Sequence, residues 1–421
     1  MNKWPYLLWI FVIIGICASQ QSSAESGGPD SFGYTFKDSN ETGGPAYNWI
    51  DISSNGTSFN LTGDWVRGPY DIGFDFFFYG EWYNQWWLGG DNGYINLGTT
   101  DYTYQYSPRN IPTTQLGNAA IAPFWKDLRG CSGDNPTLSY KNFGSENNQT
   151  LVIQYNNLRE YSHSCDDEEF GLYSFEIILF EKTGDIVFQY NNDFSNGESD
   201  NGISSIGIQV SSEMGLQYYY GGIMSLEDAQ FSVRFYAPPI PQYDLLISDL
   251  EYDSYFSLNY NETITAVIKN VGAENQTGFN LSFKISDEEG GVLYTHIKNV
   301  DFIERCGSTL KVKLVAPILM DFDVEINSNI TIGVSLLISD ENMSNNEINS
   351  ETKIVYVFFK ENFEEGIWEN SDWDFSESQA WNYTTDAYGN RSMFSGYRCS
   401  QDRPALTSIT SPSIDLSVGS N

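Results

Sequence analysis

The chain has 421 residues, 40% of them hydrophobic and 16% aromatic. That is enough apolar material for roughly two to four packed domains and too much for a disordered tail. Lys and Arg total 21 against 56 Asp and Glu, and the net charge of -35 repels phosphate backbones and anionic lipid, which excludes nucleic acid as a partner. With two histidines, imidazole-based catalysis or metal binding has little material to work with.

At the N-terminus Lys3 is the lone charge before an apolar run from Tyr6 to Ala18, and Ser22, Ser23 and Ala24 offer small residues for cleavage. A run of about 13 residues is too short to span a ~30 Å hydrocarbon core, so residues 1–24 read as a cleaved secretory signal. No later stretch is long and apolar enough for a transmembrane helix. The expected location is therefore secreted or at the cell surface.

Residues 25–236 form the first expected domain. Tyr173, Phe175, Ile177 and Leu179 alternate along one strand, Lys182-Thr183-Gly184 turns the chain, and Ile186, Phe188 and Tyr190 return on the next. Asn92-Gly93 is a further turn signal. Only residues 225–230 could make a short helical turn. The aromatic group containing Trp82, Trp86 and Trp87 can stack on a glycan or fill a core, and a consecutive Trp pair in a strand places one ring on each face. Asp166, Asp167, Glu168 and Glu169 supply hard oxygen ligands that suit Ca²⁺, with no complete calcium-loop signature; a solvated acidic loop is the other reading. Calcium is the one cofactor the sequence offers. Asp193, Glu198 and Asp200 form a second acidic group. Glu168 with Asp127 as a glycosidase pair carries no weight, because carboxylates are so plentiful. His163 beside Ser162 and Ser164 is no triad, since triad members converge from separate segments.

Four cysteines follow the signal: Cys131, Cys165, Cys306 and Cys399. No CxxC pair exists. Cys131 and Cys165 flank loop-like sequence with the strand 151–155 between them, so a hairpin brings them to one end of a sheet, and export supplies the oxidising compartment. A Cys131–Cys165 disulfide is expected, with Cys306 and Cys399 left unpaired. Sequons begin at Asn40, Asn55, Asn60, Asn148, Asn261, Asn275, Asn280, Asn329, Asn342, Asn382 and Asn390. They predict a glycoprotein or reflect an Asn-rich, loop-rich chain.

Residues 237–242, with Pro238, Pro239 and Pro241, form a stiff linker. The next expected domain spans 243–357. Its strands alternate Ile264, Ala266 and Ile268, then Phe279, Leu281, Phe283 and Ile285, then Ile330, Ile332, Val334, Leu336 and Ile338. Period 2 places each set on one face, as a sandwich with one wet side requires. A last segment, 358–421, opens acidic and Trp-rich. The fold class is all-β, a multidomain β-sandwich architecture.

Three resemblances accompany this reading. Asp71-Ile72-Gly73-Phe74, Asn92-Gly93-Tyr94-Ile95, the run 121–128 and the paired strands before Tyr190 resemble a nidogen-like extracellular module of secreted microbial proteins. The opening Asp244-Leu245-Leu246-Ile247, the stretch Val267-Ile268-Lys269-Asn270-Val271-Gly272 and the Asn-rich turn near Asn345 resemble a CARDB, or cell-adhesion-related, immunoglobulin-like domain. Glu361 to Gly366, Trp373, Trp381 and the close around Ser411-Pro412 resemble the start of a MAM-like or cleaved-adhesin jelly roll, here incomplete, as in a gene fragment. The resemblances imply extracellular adhesion, recognition or spacing without an active site, and a protein or glycan as ligand. Two alternatives remain: the accessory region of a secreted peptidase whose catalytic domain lies beyond Asn421, and a carbohydrate-binding module.

Overall fold

The computed structural model describes residues 25–59, 65–98, 105–162, 164–165, 172–191, 203–222, 230–253, 255–258, 261–317, 319, 325 and 327–355, and four short strands beyond. The expected signal segment 1–24 and residues 225–229 of the expected helical turn lie outside them. The chain divides into two compact units: Met1–Asp244 with Asn270–Gln276 and Glu304–Ser308, and Leu245–Lys269 with Thr277–Ile303 and Thr309–Asn421.

The first unit carries β1 (Ser26–Gly27), β2 (Thr35–Asp38), β3 (Thr57–Phe59), β4 (Val66–Phe78), β5 (Glu81–Gly89), β6 (Ile95–Leu97), β7 (Ala120–Trp125), β8 (Leu128–Gly130), β9 (Thr137–Ser145), β10 (Asn148–Glu160), β11 (Tyr173–Phe180), β12 (Ile186–Asn191), β13 (Ser204–Gln209), β14 (Gly215–Gly221) and β15 (Gln230–Tyr236). A nine-stranded sheet runs β1-β2-β15-β12-β11-β10-β9-β3, with β8 beside β10. A six-stranded sheet runs β14-β13-β7-β6-β5-β4. The expected hairpin of residues 173–190 is β11–β12, with Gly184 at φ 70° in its turn.

Period 2 sends one aromatic from each central strand of the large sheet inward. Tyr155, Phe175, Tyr190 and Phe231 stand in register across β10, β11, β12 and β15, and the Tyr155 and Phe175 rings lie 4.6 Å apart. Phe76, Phe78, Trp86, Ile121 and Ile206 from the other sheet complete this core. Buried phenols tie the layers together. Tyr155 Oη donates to the Tyr94 carbonyl at 3.2 Å and Tyr190 Oη to the Pro123 carbonyl at 2.6 Å. At one end Lys126 Nζ pairs with Glu160 Oε2 at 3.3 Å, both side chains being less than a tenth exposed. Burial pulls the Lys126 ammonium below its ordinary pKa, and Glu160 opposes that pull.

The large sheet has no wet side over its central strands. Its outward positions form a polar row, Ser232, Gln189, Glu176, Gln154 and Ser139, in register on five adjacent strands and all buried. Residues 45–56, in no strand, run across this row as a strap. Ser232 Oγ donates to the Pro45 carbonyl (3.2 Å). Gln189 accepts from Asn48 N–H (2.6 Å) and donates to the Asn48 carbonyl (2.8 Å). Glu176 Oε1 accepts from Ile50 N–H (3.3 Å) and Gln154 Oε1 from Ile52 N–H (2.8 Å). Alternate strap amides thus meet successive strands. At Gly56 a Cβ would come 2.9 Å from the Ile52 carbonyl oxygen and 3.1 Å from the Ser139 Cβ, so the strap ends on a residue without one.

The second unit carries β16 (Leu245–Glu251), β17 (Phe256–Ser257), β18 (Glu262–Asn270), β19 (Gln276–Asp287), β20 (Val292–Ile303), β21 (Thr309–Ala316), β22 (Asn329–Leu336) and β23 (Glu347–Val355). Sheets β16-β18-β21 and β17-β23-β22-β19-β20 enclose a core of Ile264, Ala266, Ile268, Leu281, Phe283, Ile285, Ile332 and Val334, the residues the alternation selects. Here the wet side is present: Val312, Leu314 and Ala316 point in, while Lys311, Lys313 and Val315 point out. Beyond residue 355 the described residues form two short ladders, Asp374–Phe375 with Ile409–Thr410 and Trp381–Thr385 with Arg391–Ser395.

Two contrasts test this packing by urea denaturation. Phe283→Ala should cost about 3–5 kcal/mol, whereas Val315→Ala, 61% exposed, should stay within about 0.5 kcal/mol. Glu160→Ala, which leaves Lys126 buried without its counter-ion, should cost about 3–5 kcal/mol. Glu251→Ala, which breaks the exposed Lys311–Glu251 pair, should cost no more than about 1 kcal/mol.

Candidate functional site

The sequence leaves the Trp pair open between glycan stacking and core packing, and the structure buries both rings. Trp86 is 0% and Trp87 6% exposed. Trp86 lies in the main core beside Tyr70 and Tyr140. Trp87, on the opposite face of β5, is covered by the β4 backbone, where a Cβ on Gly68 would come within 2.6 Å of its ring. Neither can stack on a glycan. Trp82 is half-buried and packs on Phe77, with ring centroids 5.0 Å apart. Among the described residues the rings this unit does present are Trp65, Tyr106, Phe143, Tyr161 and Tyr243, at 70%, 49%, 37%, 58% and 51% exposed. No pattern in the sequence separates these from core aromatics.

Tyr161 belongs to a braced rim at the end of the large sheet. Cys131 and Cys165 form a disulfide there with Cα atoms 5.5 Å apart. The 3₁₀ turn Ser132–Asp134 that follows Cys131 is held by Arg159, whose Nη2 donates to Asp134 Oδ1 at 2.9 Å and whose Nε donates to Oδ2. Those bonds hold the Asp134 carboxyl below its ordinary range. Asn157 Nδ2 donates to the Asp134 carbonyl at 3.0 Å. Tyr161 N–H donates to the Asp127 carbonyl at 2.9 Å, and the Arg129 guanidinium lies 5.4 Å from the Tyr161 ring centroid. A fixed ring beside a cation can receive a flat or carboxylate-bearing group.

The acidic residues Asp166, Asp167, Glu168 and Glu169 follow this rim directly and lie outside the described residues, as do His163, Asp193, Glu198, Asp200 and Cys399. Among the described residues no group of three or more His, Cys, Asp or Glu is placed to hold a metal ion. Cys306 carries a free thiol, which burial pushes up to about 12, so little nucleophilic thiolate forms at neutral pH. His296 is exposed and stacks on Tyr294.

The sequon asparagines fall on the surface. Asn40, Asn55, Asn148, Asn261, Asn275, Asn329 and Asn342 are exposed and Asn280 is half-buried. Asn60 and Asn390 lie outside the described residues, and Asn382 sits in a short strand. The buried asparagines Asn92, Asn96, Asn270 and Asn346 stand in no sequon.

Among the described residues no helix is long and apolar enough to cross a membrane. No curated protein matches the sequence. Among solved structures, the CARDB domain of a Pyrococcus furiosus protein, determined in complex with di-metal ions, is 12% identical at a TM-score of 0.21, over 28% of this chain and 91% of that one. Bacteroides uniformis beta-glucuronidase 2 is 11% identical at a TM-score of 0.21, over 48% of this chain and 26% of that one. A beta-glucuronidase from glycoside hydrolase family 2 is 14% identical at 0.21, over 73% of this chain and 31% of that one. These likenesses are faint. The firm match is to a family model described as NIDO related, over residues 33–230, which spans nearly all of the strands of the first unit and agrees with the nidogen-like resemblance.

Proposed function

We propose that this chain is an extracellular, non-catalytic multidomain β protein that serves adhesion, recognition or spacing. The observation that carries the reading is the NIDO-related match across a sandwich that also holds a disulfide. Disulfides persist in oxidising compartments. The surface placement of the sequons, with the buried asparagines outside any sequon, supports the same location and a glycosylated surface. The CARDB-like and MAM-like modules fit a spacer or adhesive role and rest on their sequence resemblance. The braced rim at Tyr161 and Arg129 is the surface we assign to ligand contact, with a protein or glycan as partner.

The native protein, purified from its source, tests this. Its mature N-terminus should lie at Glu25, and Cys131 and Cys165 should resist alkylation until reduced. Amidase treatment should lower its mass and convert exposed asparagines such as Asn55 and Asn148 to Asp. Replacing both cysteines by Ser should cost about 4 kcal/mol on the chain-entropy model, less any native strain. An unprocessed, unglycosylated intracellular protein with both thiols free would contradict the proposal.

A further inference from the structure

The strap over the large sheet is held at its middle by an acid. Glu176 is fully buried, and its Oε1 accepts both from Ile50 N–H (3.3 Å) and from Gln189 Nε2 (2.6 Å). Its Oε2 is buried without a hydrogen-bond partner. Neutral Gln154 and Gln189 flank it on the neighbouring strands, and the strap brings Tyr47 and Asp51 toward it, neither of them a cation. The cations of this face stand on the next row of the sheet: Arg234 is paired with Asp185, Lys37 beside it donates to the Thr42 carbonyl, and Lys141 donates to Asn55. A carboxylate charge here would have no counter-ion. A carboxylic acid fits.

The strap also walls a groove of about 440 Å³ on the outer face of the sheet, floored by Ile178, Val187 and Phe180. Ile52 of the strap packs with Val152, Ile178 and Val187 in a separate apolar cluster. Lifting the strap would bare that strip.

We propose that residues 45–56 are an acid-tightened clamp: the protonated Glu176 carboxyl seals the strap over the apolar strip, and loss of that proton favours its release. Burial pushes this carboxyl from 4.5 up to about 8, against the smaller pull of the hydrogen bonds from Ile50 and Gln189. With the strap lifted, the group meets water and returns toward its ordinary value. Between those two values the clamped state keeps its proton and the released state gives it up. The clamp is therefore tightest below about 4.5. Its opening equilibrium rises about tenfold per pH unit up to about 8 and then levels off.

Hydrogen–deuterium exchange of the full chain from pH 5 to 8 tests this. Base catalysis alone speeds exchange about tenfold per unit, so strap amides should speed by about a hundredfold per unit. In the wild type, a peptide covering residues 46–52 should show the steeper slope and exchange much faster at every pH than one from β7 (Ala120–Trp125), whose buried amides open only with the whole unit. Glu176→Gln keeps the Oε1 acceptor and removes the titration, so its strap peptide should fall to the ordinary slope. An ordinary slope for the wild-type strap overturns the clamp, and so does a steep slope that persists in Glu176→Gln. A steep strap that exchanges no faster than β7 reports unfolding of the whole unit and overturns it as well. Should Glu176→Gln fail to fold, the comparison of strap and β7 in the wild type decides alone.

Discussion

Cover on both faces of one large sheet is the constraint on which the first unit depends. The inner face of β10, β11, β12 and β15 meets the second sheet through an aromatic row, Tyr155 to Phe231. The outer face cannot use the same means, because its central row is Gln189, Glu176 and Gln154. Burying such groups is costly unless each finds a partner. The strap supplies those partners with its own backbone, and in turn satisfies amides that no strand pairing reaches. Side chains here take the part that a neighbouring strand plays elsewhere, which is how a segment without regular structure lies flat on a sheet.

Much of the fold was legible because strands with one buried face advertise it. The alternation at Phe279 to Ile285 and at Ile330 to Leu336 marked the residues that form the second core. Lys182-Thr183-Gly184 marked the hairpin turn, and the loop character around Cys131 and Cys165 marked the disulfide. The outer cover was not legible. Gln154, Glu176 and Gln189 occupy the polar places of period-2 strands, where solvent is the ordinary expectation. Their partners lie 102, 126 and 141 residues away in a segment without periodicity. The Trp pair stayed undecided in the sequence for a related reason. Alternation says that Trp86 and Trp87 face opposite ways, and it says nothing about whether the second face is covered.

The functional reading follows from the same division between a rigid interior and a decorated edge. The interior holds the aromatics and the Lys126–Glu160 pair. The edge holds the disulfide, the braced turn at Asp134 and the exposed ring of Tyr161, which leads into the acidic residues 166–169. A proposed contact surface on such an edge can vary while the sandwich beneath it stays fixed. That is the arrangement expected of a recognition module, the reading proposed above.

The most direct measurement of the central claim is the unfolding free energy of Gln189→Leu. Leucine has a similar size and is more apolar, so at a site that merely required burial it would leave stability unchanged or raise it. At a polar clasp it strands the Asn48 N–H and carbonyl and takes a donor from Glu176. The account predicts a loss of about 1–3 kcal/mol in urea denaturation at neutral pH. Stability equal to or above the wild type would show that the strap does not depend on the side-chain row beneath it.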